Sequence, residues 1–299
     1  MMGSSQVKRH IPWAMLIPLS TLMVVLVIPA VLPGVLAPHD PLKVNLEDGL
    51  TPPVWAGGTS EHILGTDSLG RDSLSRLVYG ARTSALISLA VVLLSATFGS
   101  ALGVIAGYAG GWLDAFIMRV ADAFFSLPLL LMAIALATLI GPSFTITVSV
   151  MVGALWAQYS RLMRAETISI KKRDFVTYAR TTGVSAPTIA WRHVRPNIQN
   201  SIIVLATLHV GWAILVEAAL SFIGAGVPPP NPTWGILISD GRGVLVNGWW
   251  VTFFPGLALL VVVMSVNLLG DWMRDRFDPR ENRVTEAGVS ELEGKGAPV

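Results

Sequence analysis

Few residues in this chain have both the type and the setting to do chemistry. Glu217 is the one acid deep inside a long apolar stretch, Ile202 to Gly224, and Ser221 follows it by one helical turn on the same face. An ionisable group at such depth is costly and by default marks a functional site or a buried polar contact. A carboxylate there can line a passage and meet an amino group, accept hydrogen bonds from neighbouring helices, or stay protonated. A second group is Asp67, Arg71, Asp72 and Arg76, within a run rich in small and polar residues. Asp67 or Thr66 suits the N-cap of a short helix. Asp72 and Arg76 are four apart and can pair, for a few tenths of a kcal/mol. Leu69, Leu77 and Val78 give that helix an apolar side. It either anchors the following apolar stretch or forms part of a gate or docking surface.

Other chemistries are excluded. The chain has no cysteine, so no disulfide framework, thiolate metal site or nucleophilic cysteine exists. A phosphate-cradling G-x-x-x-x-G-K-[ST] loop is missing, because the one Gly-Lys pair, Gly294-Lys295, lacks the upstream glycine. No nucleophile elbow and no His/Glu metal-binding pattern is recognisable. The expectation is a chain with no catalytic residues, no metal and no cofactor of its own. Any energy must come from a partner.

The elements that position these residues lie in a membrane. Of 299 residues 53% are hydrophobic and only 13% charged, about half the charge of a soluble domain. The mean hydropathy is +0.62. A net charge of +2 is too small to imply nucleic acid. A spanning helix needs about 20 mostly apolar residues, and six stretches qualify: Trp13 to Leu36, Thr83 to Ala106, Val120 to Ile140, Phe144 to Ser160, Ile202 to Gly224 and Val251 to Trp272. The first follows Lys8-Arg9-His10, yet it exceeds a signal-peptide core and no A-x-A site follows, so it reads as a retained anchor kinked at Pro18, Pro29 and Pro33. Only Gly141-Pro142-Ser143 separates the third and fourth, a tight hairpin. Trp249, Trp250 and Trp272 suit an interfacial aromatic belt.

Placing the N-terminus inside leaves only Lys43, Arg71, Arg76, Arg82 and Arg242 of the 21 basic residues outside, which satisfies the positive-inside rule. Both termini are then cytoplasmic. The expected organisation is a cytoplasmic segment 1–12, a first span 13–36, an external loop 37–82 with its short helix, a five-helix core 83–273 containing the cytoplasmic loop 161–200, and a polar tail 274–299 expected to be disordered. Arg119 and Asp122, three apart, are expected to form a local ion pair, and Asp271 to sit at the membrane's inner surface.

Two local patterns stand out. Gly99, Gly103, Gly107 and Gly111 continue a small-residue series from Ser95, one every fourth position. On a helix this makes a groove for close backbone approach, which drives association of membrane helices. The partner can lie in this chain or another. The second pattern runs from Lys171 through Tyr178-Ala179-Arg180 to Gly183, then Val184 to Val194 and Pro196. Gly183 suits a left-handed C′ position. Ser185 suits the cap of a second short helix with Pro187 near its start, and Pro196 ends the unit. A basic helix–glycine–helix knob at the inner face can dock into another protein or rest on anionic headgroups.

That knob resembles the EAA loop of binding-protein-dependent ABC importer permeases, E-A-A-x3-G-x9-I-x-L-P. Ala179, Gly183 and Pro196 stand at the matching positions, while Thr177, Tyr178, His193 and Arg195 depart from the pattern. The run from Leu64-Gly65-Thr66-Asp67 through Gly70-Arg71-Asp72 and Ser75-Arg76 to Gly80-Ala81-Arg82 is similar to the LGTDxLGRDxxSRxxxGAR run of the dipeptide and oligopeptide permease family (DppC/OppC). So is Glu217-Ala218-Ala219-Leu220-Ser221-Phe222-Ile223-Gly224, followed by Pro228-Pro229-Pro230 and Trp234-Gly235. The resemblance spans about residues 10–280. It implies an all-α integral membrane protein, a six-span, type I, MetI-like bundle in a bacterial plasma membrane that moves peptides inward by alternating access. The implied partners are a second homologous permease, two nucleotide-binding ATPase subunits or one fused ATPase holding ATP and Mg, and an extracytoplasmic peptide-binding protein. Importers of nickel chelates, haem or sugars resemble the family too. An ion-coupled secondary transporter is the reading from a different class, and it leaves the knob without a role.

Overall fold

The computed structural model describes residues 13–277. Among them all regular structure is helical, apart from one isolated antiparallel bridge between Thr66 and Asp72. The expected segment 1–12 and the tail beyond Phe277 lie outside the described residues.

Helix α1, Trp13–Leu22, carries Pro18 without breaking. It runs into a π-helical turn, Met23–Val27, just ahead of Pro29, and single helical turns follow at Ile28–Val31 and Pro33–Leu36. A proline supplies no N–H, and the π turn shifts the hydrogen-bond ladder around that gap. The chain leaves helical geometry at Leu32 (φ −121°), the residue before Pro33, where Cδ of a proline disfavours the α region.

Helix α2, Ser73–Ala109, is 37 residues long. Here the sequence reading is corrected: no separate helix spans Asp67 to Arg76, because α2 starts at Ser73 and runs unbroken, and the loop before it holds only single 3-10 turns at Leu46–Asp48 and Val54–Ala56. Asp72 caps it, with Oδ2 accepting the Ser75 N–H at 2.8 Å, a task expected of Asp67 or Thr66. Asp67 instead folds its own turn, accepting the N–H groups of Leu69 (2.9 Å) and Arg71 (3.0 Å).

The third span is corrected as well. In place of one helix over Val120 to Ile140 there is a bent pair, α3 (Gly111–Ser126) and α4 (Leu129–Ile140), turned by 83°. Pro128 accounts for the break, since it pushes Leu127 to an extended conformation (ψ 119°). Helix α5 is Phe144–Lys171, running well past Ser160; α6 is Asp174–Thr181, α7 Arg195–Phe222, α8 Trp234–Gly241 and α9 Trp249–Phe277. Among the described residues three helical stretches are long and apolar enough to cross a membrane, Ser73–Ala109, Ala186–Phe222 and Trp249–Arg276, and the bent pair makes a fourth if it is counted as one span. On α9 the exposed side chains Phe253, Leu257, Leu260, Met264 and Leu268 recur every three or four residues, an apolar stripe suited to lipid.

The described residues divide into two compact units. One holds the chain up to Leu89 with Ala133–Val148 and Gly211–Leu269; the other holds Ala90–Met132, Ser149–Val210 and the chain from Gly270 on. In the second unit the glycine groove of α2 is filled by α5. A methyl group at Gly99 or Gly103 would collide with the carbonyl oxygen of Trp156 or Ser160, and one at Gly107 would lie 2.8 Å from that of Arg164. The partner of the groove is therefore in this chain. Gly111 is not part of it: nothing lies within 4 Å of its virtual Cβ. It follows Gly110 at a left-handed corner (φ +67° and +59°) that ends α2 and redirects the chain. Lys171 then donates to the orphan Tyr108 carbonyl at 2.6 Å, and Arg164 makes a two-pronged bond to Asp114 (Nη2–Oδ2 2.6 Å).

Candidate functional site

The knob takes shape within the second unit. Helix α6 ends through Gly183 at φ +80°. The Val184 N–H donates to the Ala179 carbonyl (3.0 Å) and the Gly183 N–H to that of Arg180 (3.1 Å). This is the paired bonding of a Schellman turn, which an L side chain at the C′ position would strain. Ser185 occupies the cap position of the next turn, Ala186–Ile189, but its hydroxyl meets the Thr188 hydroxyl at 2.8 Å rather than a backbone N–H. Pro196 does not end the unit. A π-helical turn, Ala190–Val194, joins the knob to α7, and Pro196 sits in the first turn of that helix. The π turn ahead of it shifts the hydrogen-bond ladder around the missing proline N–H, as the turn ahead of Pro29 does.

The knob packs on a core it shares with α5 and α2. Val176, Ile189, Val194 and Ile198 are buried with Met163 and Ile170, and Ala179 and Val184 pack against them. Tyr178, Trp191 and Phe175 face outward at 76%, 65% and 42% exposure, with Arg180, Gly183, Ser185 and Pro196 also exposed. The Arg195 guanidinium lies 4.2 Å over the Trp191 ring. The outer surface is thus aromatic and basic, and the inner one aliphatic. The charges at the far end of α5 pair differently from the sequence expectation: Asp122 bonds Arg161, not Arg119, on the surface.

In the first unit the Asp67 group forms a latch. Arg71 Nε donates to Asp67 Oδ2 at 2.7 Å, Arg76 pairs with the same oxygen, and both guanidinium groups reach Asp240 Oδ2, at 3.3 and 3.1 Å. The side chains of Asp67 and Arg76 are 2% and 3% exposed. Arg76 therefore does not pair with Asp72, whose Oδ1 instead meets His62 Nδ1 at 3.0 Å. A cap residue stands outside the helical spiral, so spacing of four does not bring it over the next turn. Asp240, on α8, was not picked out from the sequence; its acid type was the only local signal. Trp234 Nε1 donates to the Leu77 carbonyl (3.1 Å), and Trp250 Nε1 to that of Thr66 (2.9 Å). Trp250 is 5% exposed, so it is a buried strut rather than an interfacial belt residue.

Glu217 is fully buried in the same unit. Ser84 donates to Oε2 at 2.8 Å and Ser221 to Oε1 at 2.7 Å. Of the roles open to it by sequence, its contacts are those of the hydrogen-bonded one. They hold α2 to α7, where Gly235 of α8 also presses within 2.7 Å of Ala218 Cα, measured from its virtual Cβ. Among the described residues one group of metal-ligand side chains does converge in space, although the sequence shows no metal-binding pattern. His39, His62 and Asp72 each bring a ligand atom within 4.8 Å of the others. They are too scattered in sequence for any metal-binding spacing to reveal them.

Comparison with known proteins places these features in a family. Binding-protein-dependent transport system inner membrane components match residues 99–283. The chain is 42% identical over 245 residues to the di/tripeptide transport system permease protein DppC of Pseudomonas aeruginosa, covering 82% of this chain and 81% of that one. It is 38% identical over 253 residues to the dipeptide transport system permease protein DppC of Haemophilus influenzae (84% and 85%). It is also 39% identical over 225 residues to the glutathione transport system permease protein GsiD of Pectobacterium atrosepticum (75% and 74%). A family match over more than half the length, relatives at this identity, and several membrane-long apolar helices agree: the chain belongs to the binding-protein-dependent transport system inner membrane components and is a multi-pass protein of the plasma membrane.

Proposed function

We propose that this chain is the translocation subunit of an ATP-driven importer that carries dipeptides and oligopeptides into the cytoplasm. The observation that carries the reading is the knob: a helix–glycine–helix unit packed through an aliphatic face onto α5 and α2, with an outward aromatic and basic face. Such a unit is stiff enough to pass on a push, and its face suits a groove on a soluble partner. The family and the names of its relatives supply the cargo class.

In this reading six segments cross the membrane, the bent pair α3–α4 counting as the third and α5 as the fourth, with both termini cytoplasmic. The external loop 37–82 faces the peptide-binding protein, loop 161–200 faces the ATPases, and 83–273 packs against a second, homologous permease. ATP and Mg²⁺ sit on the ATPase subunits. Closure of the ATPases moves the knob, and the bundle switches between outward and inward access. Glu217 serves as a buried polar fastener rather than a point on the substrate path.

The test is purification of the chain from its native membrane in mild detergent, identification of what accompanies it, and reconstitution of the complex in liposomes. Recovery of a second permease with ATPase subunits, and labelled dipeptide uptake that needs ATP, is expected. Competition by unlabelled tripeptide and glutathione sorts the cargo. A chain recovered alone that transports on an ion gradient overturns the reading.

A further inference from the structure

In the first unit, three side chains distant in sequence converge just ahead of α2. We propose that His39, His62 and Asp72 bind one divalent transition-metal ion of the zinc class, which fastens the loop before α2 to the start of that helix. The site does not depend on the cargo or on the transport reading.

The donor set fits. Imidazole and carboxylate together suit zinc and its neighbours, with bonds of about 2.0–2.2 Å. Ligand atoms of a tetrahedral site at those bond lengths stand roughly 3.3 Å apart. Here Asp72 Oδ1 lies 3.0 Å from His62 Nδ1 and 3.8 Å from His39 Nδ1. All three ligand atoms lie within 4.8 Å of one another, and binding requires the side chains to close the remaining gap to ligand spacing.

The surroundings divide the donor atoms in the way a metal would need. Asp72 Oδ2 is engaged by the Ser75 N–H, which leaves Oδ1 for the ion. His39 Nδ1 is buried and has no hydrogen-bond partner, an unsatisfied state that costs free energy unless something fills it. His62 Nε2 stands 4.0 Å from Asp48 Oδ2. With Nδ1 on a metal, Nε2 carries the proton and points at a carboxylate, the outer-shell arrangement that fixes ligand tautomers. The backbone is set independently, since the His39 N–H donates to Ser75 Oγ at 3.0 Å and the His62 carbonyl accepts from Gly65 at 2.9 Å. Burial is graded, with side-chain exposure of 1% for Asp72, 10% for His62 and 29% for His39. His39 also lines a cavity of about 510 Å³ together with Tyr79 and Asn231; a water would have to complete the shell.

The experiment uses the full chain without a histidine tag, in its complex, stripped with chelator and titrated with Zn²⁺ and with Co²⁺. One ion per chain is expected, with the visible absorption of a four-coordinate nitrogen- and oxygen-ligated Co²⁺ and a raised unfolding midpoint. His39→Ala keeps the backbone bond to Ser75, so its midpoint in chelator should match the parent, while Zn²⁺ affinity falls more than about 100-fold. Asp48→Asn should lower affinity about 10-fold, as outer-shell losses do. Stoichiometric binding absent from the parent protein, or affinity unchanged in His39→Ala, overturns the proposal. Should that variant fail to accumulate, the Co²⁺ spectrum of the parent decides alone: no imidazole-ligated band means no site.

Discussion

Asp67 is the hinge of the latch, because two guanidinium groups share one of its oxygens in a nearly dry setting. Removing one partner of a buried pair costs about 3–5 kcal/mol, since the other charge is left uncompensated. Asp67→Asn is therefore expected to lower the thermal unfolding midpoint in detergent sharply. Asp240→Asn should lower it less, because Asp240 is 33% exposed and water can replace it. Equal shifts would mean the latch is not organised around Asp67. The surface pair Arg161–Asp122, 48% and 57% exposed, is worth at most about 1 kcal/mol, so Asp122→Ala should leave the midpoint nearly unchanged. At this scale the sequence marked Asp67, Arg71 and Arg76 as a charged group but assigned the wrong partners. Arg76 meets Asp240 across 164 residues, and no local spacing carries that information. Glu217 was found because an acid in an apolar run is conspicuous, whereas Ser84, its partner on α2, looks like any helix serine.

Among the elements, the α2–α5 seam tests the glycine groove. Gly103→Leu drives a side chain into the Ser160 backbone, which cannot retreat without separating the helices. The expected outcome is loss of folded protein from membranes, measured by blot and by protease sensitivity. Gly111→Ala has room around it and pays only for its left-handed backbone, roughly 1–2 kcal/mol, so the protein should still accumulate. For the knob, Gly183→Pro removes an N–H that bonds Arg180 and forbids the observed φ. Peptide uptake should be abolished while the protein stays inserted and keeps its outer latch. Normal uptake would sink the coupling role. Helix, glycine corner and second helix were legible because each rests on local chemistry. The long external extension of α2 and the run of the knob into α7 were not. Asp72 and Pro196 were read as parts of separate short units, but a cap begins a long helix equally well, and a π turn carries the helix past the proline.

At the level of the whole molecule, the six-span plan rests on apolar stretch length and its orientation, with an inner knob and an outer loop, on charge bias; the orientation can be tested directly. The chain has no cysteine, so single cysteines report cleanly. Ser60→Cys, on the exposed outer loop, should react with an impermeant maleimide in intact cells. Thr181→Cys, on the knob, should react only once the membrane is opened. The reverse pattern would invert the molecule and remove the knob from any cytoplasmic ATPase. The bent pair α3–α4 explains why the third span was misread as straight: hydropathy counts apolar residues and ignores a single Pro128.

The buried latch also bears on where such a protein can work. A cell regulates the ionic strength of its interior but not of the water around it. Screening shortens from about 10 Å at 0.1 M salt to about 3 Å at 1 M, which loosens exposed ion pairs and spares those shielded from solvent. Asp67 and Arg76, almost wholly covered by the chain around them, belong to the spared kind. If the proposed orientation places this clamp outside, its Asp67–Arg76 pair should hold in dilute fresh water and in brine alike, and salt should act first on the more exposed Asp240.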